Sequence, residues 1–80
     1  MKKIEITTEY ITLGQLLKFA GIIDSGAMAK SFLEEETVRV NGELENRRGR
    51  KLYEGYIISA MGVDYIIGRW NVLSRKHSTN

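Results

Sequence analysis

Eighty residues, 42% of them apolar and 28% charged, describe one small globular domain with a modest core, and a net charge of +2 selects no partner class by itself. The absence of cysteine and the single histidine, His77, exclude disulfide staples, thiolate metal sites and histidine metal clusters. No apolar run approaches the ~20 residues of a membrane helix, and Glu5 and Glu9 interrupt any leader after Met1-Lys2-Lys3, so a cytoplasmic protein without membrane contact is expected.

Residues 2–8 alternate, with Ile4 and Ile6 on one side and Lys3, Glu5 and Thr7 on the other, which predicts a short strand. Thr12 and Gln15 have the spacing of a capping box, and Ile11 and Leu16 that of a hydrophobic staple. Leu13, Leu16, Leu17 and Ala20 then follow one helical face, and Gly21 is a natural stop, so a helix is predicted over residues 13–20. Ile22 and Ile23 are expected to plug the core. A second helix, capped by Asp24 or Ser25, is predicted to run to about Glu35 with Ala29, Phe32 and Leu33 inward. Lys18 and Lys30 fall on the outward faces of the two helices.

Val38, Val40 and Leu44 are expected on the buried side of a hairpin over residues 37–46, turned at Asn41-Gly42, with Arg39 outward. Four cations follow within five residues: Arg47, Arg48, Arg50 and Lys51, broken only by Gly49. Mutually repelling charges do nothing for a core, so this loop and the hairpin beside it point to an anionic partner, and Glu43 and Glu45 are expected to oppose its binding. Residues 56–60 and 63–67 predict two more strands around Met61-Gly62. Val72 and Leu73 are expected to add a last apolar contact. The domain is thus expected to span residues 1–73, with a flexible polar tail over 74–80 that includes Arg75, Lys76 and His77.

Gly21, Ser25, Ala29, Leu33, Val38, Val40 and Asn41-Gly42, in this register, resemble the S4 RNA-binding domain, and "NGELENRRGRKLYEG" is similar to the small stand-alone bacterial members of that family. The resemblance covers about residues 12–58. It implies an α+β fold in which two antiparallel helices pack on a small, mostly antiparallel sheet of about four to five strands. It further implies binding of structured RNA, ribosomal RNA first and transfer RNA second, with the ribosome or one of its subunits as a partner. Lys18, Lys30, Arg39, Asn41, Arg47, Arg48, Arg50 and Lys51 are the expected RNA-binding residues. Three positions depart from the family's usual pattern: Gly26 stands where an arginine commonly follows the serine, Glu36 where a glycine ends the second helix, and Tyr56 where an aspartate follows Gly55.

Catalysis has little support, because no nucleophile–base pair or phosphate-cradling glycine motif occurs, and Asp24 and Asp64 lack partners at suggestive spacing. A monomeric, non-catalytic RNA-binding protein without cofactor is the expectation. A module that docks its basic loop on an acidic protein, and a DNA-binding protein, are the alternatives.

Overall fold

The computed structural model describes residues 1–70; the expected contact of Val72 and Leu73 and the polar tail lie outside the described residues. In chain order the elements are β1 (Lys2–Ile6), β2 (Tyr10–Thr12), α1 (Leu13–Phe19), a 3-10 turn (Gly26–Met28), α2 (Ala29–Glu35), β3 (Val38–Val40), β4 (Glu43–Leu44), β5 (Lys51–Tyr53), β6 (Ile57–Ala60) and β7 (Val63–Arg69). Five strands form one mixed sheet in the order β1-β7-β6-β3-β4, while β2 and β5 pair as a separate two-stranded ribbon. Within the larger sheet only β1 and β7 run parallel. The expected α+β architecture is the one observed, with the two helices and the ribbon packed against one face of the sheet.

Local chemistry explains why α1 forms where it does. Thr12 Oγ1 accepts from the Gln15 amide at 3.3 Å and Gln15 Oε1 accepts from the Thr12 amide at 2.9 Å, closing the capping box. At the other end Gly21 takes φ 76°, its amide bonds Lys18 O at 3.0 Å, and Ile22 N bonds Leu17 O at 2.9 Å. These bonds satisfy the last carbonyls in a Schellman arrangement, which needs a left-handed residue at Gly21. The helix buries Leu13, Leu16 and Leu17 completely. Beyond it Ile23 is buried and Ile22 partly so, as expected of a core plug.

The second helix begins later than the sequence predicts. Ser25 is extended and makes no side-chain cap, Gly26–Met28 forms a 3-10 turn, and α2 proper starts at Ala29. Ala29 and Leu33 are buried, whereas Phe32 is only partly covered. Glu36 ends the helix in an extended conformation (φ −112°), so no left-handed stop exists for a glycine to relieve.

Both predicted two-residue turns are present, with Asn41 and Gly42 at φ 51° and 86° and Met61 and Gly62 at φ 53° and 76°. The first turn also corrects one core expectation. It places Glu43 opposite Val40 and Leu44 opposite Arg39. Directly opposed residues share a face, so Leu44 follows Arg39 outward and is 67% exposed. Ile6, Ile11, Leu52, Ile58, Ala60, Tyr65 and Ile67 share the core with Val38 and Val40.

Candidate nucleic-acid interface

The basic loop is fixed at the start of α1. A helix leaves its first amides without internal partners, and here Leu13 N donates to Arg50 O and Gly14 N to Arg48 O, each at 2.9 Å. The approach is close at Gly14, where a Cβ would sit 3.4 Å from Arg48 O and 3.5 Å from the Ala29 Cβ. Loop, first helix and second helix therefore meet at one point. The loop's own turn is closed by Arg50 N donating to Arg47 O at 3.1 Å.

Glu45 ties two of the loop's cations together. Its Oε2 accepts from the Arg47 amide at 3.1 Å and from Arg47 Nε at 2.9 Å. Its Oε1 accepts from Arg47 Nη2 at 3.0 Å and Arg50 Nη1 at 2.7 Å. The side chain is 7% exposed, covered by the guanidinium groups it holds. Hydrogen bonds from Arg47, outweighing the cost of burial, lower its pKa from 4.5 to about 2, and the same carboxylate raises the pKa values of Arg47 and Arg50. Glu43, by contrast, is exposed at the strand edge. The Glu45-x-Arg47-x-x-Arg50 spacing was the available signal for this clamp, and a reading of charge alone misses it.

The clamp divides the basic residues. Arg47 and Arg50 share one negative charge, while Arg48 and Lys51 have no carboxylate partner within 4.0 Å among the described residues. Arg48 and Lys18 line a common groove of about 420 Å³ with Thr12, Gly26 and Gly49. Gly26, where the family's arginine would stand, borders this groove with nothing within 4 Å of an added Cβ. Lys51 lies beside the Tyr10 ring, with Nζ 4.9 Å from its centroid.

The other candidates are placed elsewhere. Lys30 is exposed on α2 and lines no part of the Lys18–Arg48 groove. Arg39 stands on the sheet face away from the core, in a cross-strand row with Leu44, Ser59 and Asp64, and its Nη1 donates to Gly42 O at 3.2 Å. Asn41 bridges to β6: its Oδ1 accepts from Ile57 N at 2.9 Å and its amide donates to Ile57 O at 2.7 Å. These contacts give Arg39 and Asn41 structural work at the turn. The helix side, with Lys18 and Arg48, and the outer sheet side, with Arg39, are thus two different surfaces of the domain.

Among the described residues no group of three acidic, histidine or cysteine side chains converges to hold a metal ion, and no helix is long and apolar enough to cross a membrane. What the loop and groove offer chemically is positive charge on an ordered loop backbone beside an open concavity.

The model of the S4 domain matches residues 4–68 of the chain. A protein of Bacillus subtilis described as a probable ribosome maturation protein, RlbA, is 59% identical over 59 residues, which cover 74% of this chain and 83% of that one. A putative RNA-binding protein of Escherichia coli, YbcJ, is 38% identical over 53 residues, covering 66% of this chain and 76% of the relative.

Proposed function

The chain belongs to the S4 domain family, and from that premise we propose that it binds structured RNA without altering it chemically, ribosomal RNA first and transfer RNA second. The observation that carries this reading is the anchoring of the Arg47–Lys51 loop to the first two amides of α1, which holds Arg48 beside Lys18 at the edge of an open groove. A loop whose backbone is already ordered suits a phosphate ligand because little loop freedom is lost on contact. The deep, narrow major groove of duplex RNA excludes side chains, so the protein would read backbone shape. Arg48 and Lys18 would contact phosphates, with Lys51, Arg47 and Arg50 adding charge alongside. Lys30, Arg39 and Asn41 would serve a long or bent RNA that reaches past the groove. The similarity to the probable ribosome maturation protein of Bacillus supports a ribosomal partner, which would place the protein in the cytoplasm.

The test is binding to a blunt RNA duplex at increasing salt, with a DNA duplex of the same sequence as competitor. Each neutralised phosphate releases counterions, so log K falls against log salt by about 0.7–0.9 per contact. Changing Lys18 and Arg48 together to Gln should flatten that line by roughly one to two units. An unchanged affinity and slope in the folded variant would sink the reading and leave an acidic protein as the loop's partner. Preference for the DNA duplex would move the assignment to DNA.

A further inference from the structure

A second surface adjoins the loop and is not used by the groove. Strands β2 and β5 turn Ile11 and Leu52 into the core, so strand alternation puts Tyr10 and Thr12, with Lys51 and Tyr53, on the outer side. Tyr10 and Tyr53 are cross-strand partners with ring centroids 5.7 Å apart. Tyr56 adds a third ring, 5.7 Å from Tyr53 and edge-on to it. Cations border the row: Lys51 Nζ lies 4.9 Å from the Tyr10 centroid, and Arg50 Cζ lies 6.0 Å from that of Tyr56.

The rings are covered to different degrees: Tyr56 packs partly buried against the core, Tyr10 is half-buried and Tyr53 is exposed. Tyr65, a core tyrosine, is 5% exposed, whereas Tyr53 is 37% exposed. The ribbon is also polarised along its length. Arg48, Arg50 and Lys51 stand at its loop end, where Lys51 pairs with Thr12, and Glu9 and Glu54 flank its far end, beyond the Tyr10–Tyr53 pair. A partly exposed aromatic row with positive charge at one end and negative charge at the other fits a short piece of single strand: phosphate on the cations, base on the rings, and no extended anionic path beyond.

We propose that Tyr10, Tyr53 and Tyr56 form a stacking platform for an unpaired nucleotide next to the duplex held at the Lys18–Arg48 groove. The inference rests on the RNA reading above and adds that the preferred RNA is a junction or end with an unpaired base beside a helix. Every base offers a π-face, so the platform itself is tolerant of sequence. Arg50 and Lys51 strengthen it by lying against the rings that the base would share.

The experiment compares a blunt RNA duplex with the same duplex carrying a short unpaired oligoadenosine extension, placed at the 5′ or the 3′ end. The proteins are the unaltered chain, Tyr53→Leu and Tyr53→Phe, each checked for folding by circular dichroism. For the unaltered chain, one of the extensions should tighten binding by about 5- to 150-fold, the size of a single base–aromatic stack. Tyr53→Leu should remove most of that gain and leave blunt-duplex binding unchanged, and Tyr53→Phe should keep it. A merely structural tyrosine would weaken both RNAs together, which overturns the platform. Blunt-duplex binding with no gain from either extension also overturns it while the RNA reading stands. Failure to bind any of these RNAs removes both.

Discussion

Glu45→Gln tests the loop's internal clamp most directly. Because the folded-state pKa of Glu45 is depressed to about 2 from 4.5, its contribution to stability is complete above the ordinary carboxylate value and disappears as pH falls toward 2. At full strength a shift of that size corresponds to about 3 kcal/mol, at 1.36 kcal/mol for each unit. The cover over Glu45 is thin, however, and Arg47 is itself 71% exposed, so screening by water reduces the expected value to about 1–2 kcal/mol. Urea denaturation followed by far-UV circular dichroism, repeated from neutral pH down to about 2, gives the stability of both proteins. The variant should be less stable by that amount at neutral pH, with a midpoint of thermal unfolding lower by roughly 4–15 °C. The difference should shrink below pH ~4.5 and vanish near 2, because protonation removes from the unaltered protein what the substitution has already removed. All other carboxylates titrate in both proteins and cancel in the difference. A gap that persists unchanged to low pH, or no gap at neutral pH, would refute the clamp.

Leu52→Ala, at a fully buried position, should cost about 2–5 kcal/mol in the same denaturation assay, and Phe32→Ala, only partly buried, about 1–3 kcal/mol; the reverse order would mean that the ribbon does not close the core. Gly21→Ala forces a Cβ into a left-handed conformation at φ 76° and should destabilise by about 1–2 kcal/mol, whereas Gly26→Ala, with open space around it, should be neutral or stabilise by up to about 1 kcal/mol. Asn41→Ala strands the Ile57 amide and loses a residue suited to positive φ, so a loss of about 1–3 kcal/mol is expected by thermal melting; an unchanged melt would show that water replaces the side chain.

Signals that are local in the chain carried most of what could be read in advance. The Thr12–Gln15 box, the Gly21 stop and the two turns each need only a few consecutive residues, and each forms as the sequence specifies. Leu44 was legible too, since a two-residue turn fixes Leu44 opposite Arg39 and therefore outward; its apolarity suggests the opposite face, and register decides. The β2–β5 ribbon was not legible, because three-residue strands separated by two helices leave no periodicity to detect. The same holds for the parallel pairing of β1 with β7, which joins segments from opposite ends of the described residues. At the candidate interface the cations themselves were evident from density alone. Their division was not: the Glu45 fork depends on a side chain turning back toward the loop, and the separation of Arg39 from Lys18 and Arg48 depends on which sheet face each element presents.

The β1–β7 pairing has a consequence for synthesis. Chains emerge from the N-terminus onward, so β1 is made well before β7, the last described element and the strand that completes its hydrogen bonds. Until Val63–Arg69 has emerged, α1 can cap itself and the Asn41-Gly42 hairpin can form, but β1 has no partner and Ile6, 4% exposed in the finished fold, stays in water. A nascent chain carrying such a strand offers an open edge to any neighbouring chain on the same message. Lys2, Lys3 and Glu5, all exposed along β1, put charge on that edge during the interval, and charged gatekeepers of this kind discourage pairing between chains. Neutralising them together should leave the purified domain close to its original stability while raising the fraction that aggregates during expression.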